Sequence, residues 1–185
     1  MKKKVLYLVP LLIGILSISC KQGPSLQQYF VEKMDDPSFL IVNLPLPLDS
    51  LFQKDLTPQE QAFIKGVNKL NLLVHRKDTT NAAGYLNEVA QLKDILAASR
   101  YQHLMDFKAF DTAQGNLLFE GELDQIDEGI IFIEVEQFGF GVLRVLGTQI
   151  NPGVLLGLGK KMNEEQLKKN LEGTIGTLGA FLDRP

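Results

Sequence analysis

Apolar positions keep helical spacing in stretches of the first half of this chain and shift towards every second residue from His103 onward. Ser25 is placed to cap a short helix with Leu26, Phe30, Val31 and Met34 on one side, closed by Asp35, Asp36 and Pro37. Phe39 to Leu44 reads as a buried strand that Pro45 and Pro47 break. Thr57, Pro58, Gln59 and Glu60 then form a capping box with proline at the first helical position. The helix they start carries Phe63, Ile64 and Val67 and runs into a β-rich segment from Lys69 to His75. A longer helix is entered at Thr79 or Thr80, with Leu86, Val89, Ala90, Lys93 and Leu96 tracing one stripe and Ala97 and Ala98 near its end.

Four strands are predicted after it: His103 to Phe110, Asn116 to Asp124, Gly129 to Glu136 and Gly141 to Gly147, joined by short turns. Near the end, Asn151 with Pro152 and Asn163 with Glu164 and Glu165 carry helix-start chemistry. The second of these helices sets Leu167, Leu171, Ile175, Leu178 and Leu182 on an apolar side and includes Gly173, Gly176 and Gly179, each costing about 1 kcal/mol against alanine. It is expected to pack on the open face of the sheet, which needs a cover; a membrane or partner surface is the alternative. The predicted fold class is α+β: an antiparallel meander with helices packed on one face, preceded by a cleaved signal peptide.

The amino terminus has its own pattern. Lys2, Lys3 and Lys4 precede an apolar run from Val5 to Ile18 and a small-residue context at Ser17, Ile18, Ser19 and Cys20, which is secretory-signal anatomy. The run is shorter than the roughly 20 apolar residues of a spanning helix and contains Pro10 and Gly14. Cys20 falls where signal peptidase II substrates carry their lipid-modified residue, although Ser17 stands where leucine is usual and Leu16 lies one step back. The expected organisation is a signal peptide over 1–19, a lipidated N-terminus and short linker over 20–25, and one domain over 26–185. The competing reading is an ordinary secreted protein cut nearby, with an incidental cysteine. Two acyl chains hold a protein stably at a bilayer where one is marginal, at about 0.8 kcal/mol per buried CH₂.

Loss of the three signal lysines takes the formal net charge from −3 to −6, and no basic run remains beyond two lysine pairs, which argues against a nucleic-acid partner. Cys20 is the sole cysteine, so intramolecular disulfides, other thiol nucleophiles and cysteine-ligated metal are excluded. Stability has to come from packing.

Strand alternation sets Glu120, Glu122 and Asp124 opposite Leu117, Phe119 and Leu123, and Glu134 and Glu136 opposite Ile131, Ile133 and Val135. Five carboxylates on one sheet face can be read as a hard-cation site or an acid/base pair. The preferred reading is the polar face of a half-buried sheet, with Arg144 and Lys108 opposing some of the charge. His75 and His103 lack zinc-ligand spacing, and His103 near Asp106 is an ordinary strand-edge arrangement. Glu120, Glu122, Glu134 and His103 are thus the candidates for a metal, none being preferred as a site. Gly153 to Lys161 departs from phosphate-loop spacing at Leu158 and Lys161, Gly139 and Gly141 suit a hairpin turn, and no Gly-x-Ser-x-Gly elbow is present. No catalytic residue and no cofactor is assigned.

The strand from Phe39 to Leu44, the Thr57 to Glu60 helix start, Tyr85 to Leu96 leading into Tyr101, Leu104 and Met105, and the strands Ile130 to Glu136 and Gly141 to Gly147 with Asn151 and Pro152 carry a resemblance. In this order they resemble a family of lipoproteins from Bacteroidota, domain of unknown function family 4252. The resemblance implies an α+β domain on the periplasmic side or cell surface, often encoded near extracytoplasmic-type sigma factors, with no activity or site to carry over. The Gly-rich tail after Lys161 departs from the family's shorter ending. The expected function is a membrane-anchored envelope lipoprotein, facing the periplasm from the inner or outer membrane, that binds or senses an envelope protein partner in connection with envelope stress. The alternative is a cation-dependent hydrolase built on the acidic sheet face.

Overall fold

The computed structural model describes residues 23–44, 56–77, 81–109, 113–123, 125–151, 153–154 and 179–181. The signal segment, Cys20, Asp124 and most of the Gly-rich carboxyl-terminal stretch lie outside these residues.

Helix α1 spans Leu26–Glu32 and starts at a reciprocal box: the Gln28 backbone N–H donates to Ser25 Oγ at 3.2 Å, and the Ser25 backbone N–H donates to Gln28 Oε1 at 2.8 Å. Helix α2, Pro58–Gly66, starts the same way, with Glu60 N–H donating to Thr57 Oγ1 and Thr57 N–H to Glu60 Oε2. Helix α3, Ala82–Leu96, is capped by Asn81, whose Oδ1 accepts from the Gly84 N–H at 3.0 Å. Its start therefore falls after Thr79 and Thr80.

Two helical stripes differ from expectation. Val31 and Met34 are exposed, and α1 buries Leu26, Tyr29 and Phe30 instead, because the Tyr29 hydroxyl finds Glu88 Oε2 at 3.0 Å and its ring can enter the core. In α3, Leu86 is 63% exposed and Ala90 and Lys93 face solvent; the buried side is Val89, Leu92, Ile95 and Leu96, with Tyr85 packed against it. Counting Tyr85 as apolar rotates the stripe by one residue.

The strands are β1 Phe39–Leu44, β2 Val67–Arg76, β3 Gln102–Ala109, β4 Ala113–Glu122, β5 Gln125–Val135 and β6 Gly139–Ile150. They form one antiparallel sheet in the order β1-β2-β6-β5-β4-β3. The last four strands are the expected meander, and β1 and β2 add to it beside β6. Asn151 does cap a turn, its Oδ1 accepting from the Val154 N–H at 3.1 Å.

Helices α1 and α3 share one sheet face, over a core of Leu26, Tyr29, Phe30, Leu73, Leu92, Ile130, Phe132, Phe140 and Val142. The short α2 places Phe63 and Ile64 in a second cluster with Phe119, Ile126, Val145 and Ile150. Each fully buried large aliphatic or aromatic side chain stabilises by roughly 1.5–3 kcal/mol relative to exposure. A core of this size suits a chain without disulfides.

Candidate functional site

Directly paired residues on neighbouring strands point to the same face, so the register gives rows across the helix-covered side. One row runs Phe39, His75, Phe140, Glu134, Gln114, Lys108 from β1 to β3. The next runs Ile41, Leu73, Val142, Phe132, Asn116, Asp106. Both change from apolar to polar towards β4 and β3. The change falls beyond the buried core that α1 and α3 form over the other strands.

There the side chains line a cleft of ≈ 580 Å³ formed by Lys93, Asp106, Phe107, Lys108, Gln114, Gly115, Asn116 and Glu134. A second hollow of ≈ 350 Å³ shares Lys108, Gln114 and Glu134 with it and adds Lys77, Tyr85 and Glu136. The two adjoin through these shared residues, and each volume falls in the range of ligand pockets, about 300–1,000 Å³. An ion pair, Lys93 Nζ to Glu134 Oε2 at 2.7 Å, reaches from α3 to the sheet beside the larger hollow. Tyr85 forms part of the wall. Burial, and after it the Glu134 charge, pushes the Tyr85 phenol above its usual range. Lys77 donates to the Glu136 backbone carbonyl at 2.9 Å and stands 6.0 Å from the Tyr85 ring centre. At the rim, Asp106 accepts from Asn116 Nδ2 and meets His103 Nε2 at 2.7 Å, and these two hydrogen bonds hold its carboxyl below the usual range.

A second polar cluster lies under α1. Arg144 donates through Nε and Nη2 to both oxygens of Glu128, at 2.6 and 2.9 Å, and through Nη1 to Gln27 Oε1 at 2.5 Å. Its guanidinium carbon also sits 5.2 Å from the Phe30 ring centre. Glu120 pairs with Glu128 across β4 and β5, and burial, then the Glu128 charge, raises its carboxyl above the usual range. Arg144 and Glu128 of this cluster are buried between helix and sheet.

The five-carboxylate face is not assembled. Glu120 and Glu134 stand six positions apart along paired strands, about 20 Å at 3.3 Å per residue. Asp127 is an extra residue opposite Glu120 and Gly121, and Gly121 takes a φ of 110°, so the regular pleat is interrupted just before the exposed Glu122. Glu136 sits in the β5–β6 turn, His103 lies on the outer strand β3, and Asp124 is outside the described residues. Among the described residues no group of three or more His, Asp, Glu or Cys is placed to hold a metal ion. His75 is buried, stacked 4.1 Å from Phe39 and 5.7 Å from Tyr85 between ring centres, with Nδ1 3.0 Å from the Ser38 carbonyl.

The residues the sequence reading passed over are Glu128, Gln114, Asn116, Lys77 and the Lys93 to Glu134 pair. Gln114, Asn116, Asp106 and Lys108 occupy sheet positions where Leu73 and Val142 sit elsewhere, a relationship that only the strand register reveals.

Comparison with known families matches residues 29–156 to a family model described as domain of unknown function (DUF4252), a span from within α1 to just beyond β6. No curated protein and no solved structure matches the chain.

Proposed function

The chain belongs to the DUF4252 family, and from that premise we propose that it is a lipid-anchored protein of the bacterial envelope whose folded domain binds a partner through the cleft between α3 and strands β3 to β5. The observation that carries the anchoring is Cys20, the sole cysteine, standing directly after a basic and then apolar leader. Ser25 already belongs to the α1 capping box, so four residues separate Cys20 from the folded domain. Such a tether spans no more than about 18 Å, which holds the domain against the membrane surface. No helix among the described residues is long and apolar enough to cross a membrane, so acyl chains supply the attachment in this reading.

The binding role is supported by the state of the polar groups. Glu134 is held by Lys93 and Asp106 by His103 and Asn116, an arrangement that presents fixed donors and acceptors to a bound molecule. A sensing or accessory role in the envelope is consistent with such a tethered, ligand-reading domain. Mass spectrometry of the protein extracted from membranes tests the anchor: the expected first residue is Cys20 carrying diacylglycerol, and Cys20→Ser leaves the protein unacylated and unprocessed at that site. An unmodified mature N-terminus at any other residue overturns the anchor.

A further inference from the structure

The cleft's own chemistry narrows what it takes. Three lysines, Lys77, Lys93 and Lys108, face three carboxylates, Asp106, Glu134 and Glu136, so the lining is formally neutral. A polyanion or a cation meets no net attraction there. The remaining polar lining includes the planar amides of Gln114, with one acceptor and two donors, and of Asn116, one of whose two donors is already engaged by Asp106. The Tyr85 ring adds apolar surface to a polar lining. Hydroxyl-bearing ligands both donate and accept at each group, and they match a surface where carboxylates, amides and ammonium groups alternate within a few ångströms.

We infer that this cleft binds a neutral oligosaccharide, its hydroxyls paired with Gln114, Asn116, Lys108 and Glu134 and one sugar face resting on the Tyr85 ring. The inference deepens the binding role proposed above and is independent of the lipid anchor. Amide and carboxylate forks accept and donate to neighbouring hydroxyls in pairs, and an aromatic ring offers an apolar surface to the C–H face of a pyranose. An extended peptide would instead seek the unpaired backbone edge of an outer strand. On β3 that edge is irregular between His103 and Met105 and carries Asp106 and Lys108.

Titration calorimetry on the acylated protein, in a detergent without a sugar head group, tests this with four probes: an N-acetylglucosamine tetramer, a maltotetraose, a galacturonic acid tetramer and a capped Ala-Gly hexapeptide. Saturable binding of a neutral tetramer that survives a tenfold rise in salt is expected. Combined Gln114→Ala and Asn116→Ala weakens it by about fivefold or more, the loss of two hydrogen bonds of roughly 0.5–1.5 kcal/mol each. Gln114→Ala alone, at an exposed position, gives a smaller loss with an unchanged urea midpoint and keeps the test independent of folding. Binding of the uronate alone, with affinity falling as salt rises, overturns the inference in favour of an anion site, and binding of the hexapeptide alone overturns it in favour of peptide. Absence of binding to either neutral tetramer overturns it as well, and leaves acylation at Cys20 to be decided by its own measurement.

Discussion

Arg144 and Glu128 form a bidentate ion pair with almost no exposure, the arginine at 3% and the glutamate at 7% of their accessible surface. Every guanidinium nitrogen of Arg144 has a partner, since Gln27 takes the third direction from α1. The pair therefore joins strands β5 and β6 to α1.

Removing one member leaves the other charged and buried without a partner. Arg144→Met is expected to destabilise the fold by about 3–5 kcal/mol. The double change Arg144→Met with Glu128→Leu should recover much of that loss, because both desolvation penalties disappear together. Urea midpoints of the two single variants and the double variant, read as a cycle, check this. A single variant as stable as the parent would show that the pair contributes nothing.

Glu120 stands beside the pair and predicts a pH effect of definite sign. Burial, Glu128 and Asp127 raise its folded-state affinity for a proton, while Arg100 and Arg144 oppose them more weakly. A carboxyl raised on folding stabilises while protonated, and that contribution is lost as pH climbs through the folded value. Glu120→Gln should thus be more stable than the parent at neutral pH, with the difference closing below the ordinary carboxylate range near about 4.3. Chemical denaturation of both proteins from pH 4 to 8 is the measurement.

Local chemistry told most of this fold in advance. Ser25 with Gln28 and Thr57 with Glu60 place helix starts because reciprocal capping needs only three residues of chain. The Glu128 to Arg144 pair was hidden for a reason just as local. Asp127 is a bulge residue, so the alternation read back from Ile131 and Ile133 stops at Gly129 and leaves Glu128 in what looks like a turn. The cleft was hidden differently: Gln114 and Asn116 read as surface residues until the register aligns them with Glu134 and Phe132, a pairing that depends on which strands neighbour one another.

His75 makes the opposite pH prediction. Burial, with Lys33 in support, lowers its proton affinity against the Ser38 carbonyl, Glu88 and Asp36. An imidazole lowered on folding contributes stability that is complete above the unfolded value near about 6.5 and declines as pH falls below it. His75→Phe keeps an aromatic ring between Phe39 and Tyr85 and removes the titration. The parent should lose stability relative to this variant between about pH 6.5 and 5. A parallel pair of curves over that interval would refute the assignment.

Gly139 closes the β5–β6 turn with a φ of +126°, and a Cβ there would lie 2.1 Å from the His75 carbonyl oxygen and 2.7 Å from the Lys77 nitrogen. Both obstacles are backbone, so no side chain can move aside. Gly139→Ala is expected to cost at least about 1–3 kcal/mol from the conformation alone. Amide exchange should localise the loss to the β2–β6 ladder at His75 and Arg76.

The Leu26 backbone N–H, a first-turn donor with no partner inside α1, donates to the Tyr101 hydroxyl at 2.9 Å across 75 residues of sequence. Leu26 is fully buried and Tyr101 nearly so, so water is poorly placed to replace that oxygen. Tyr101→Phe keeps the ring and deletes only the acceptor, leaving a buried donor at a cost of about 1–3 kcal/mol. Because the bond fastens the first turn of α1, its loss should act first on that helix. Amide exchange at Leu26 to Phe30 is expected to quicken more in this variant than exchange in β5 or β6. Uniform quickening throughout the sheet would mean that α1 opens only when the whole domain does, and the hydrogen bond would then be one more contribution to global stability rather than a local fastening.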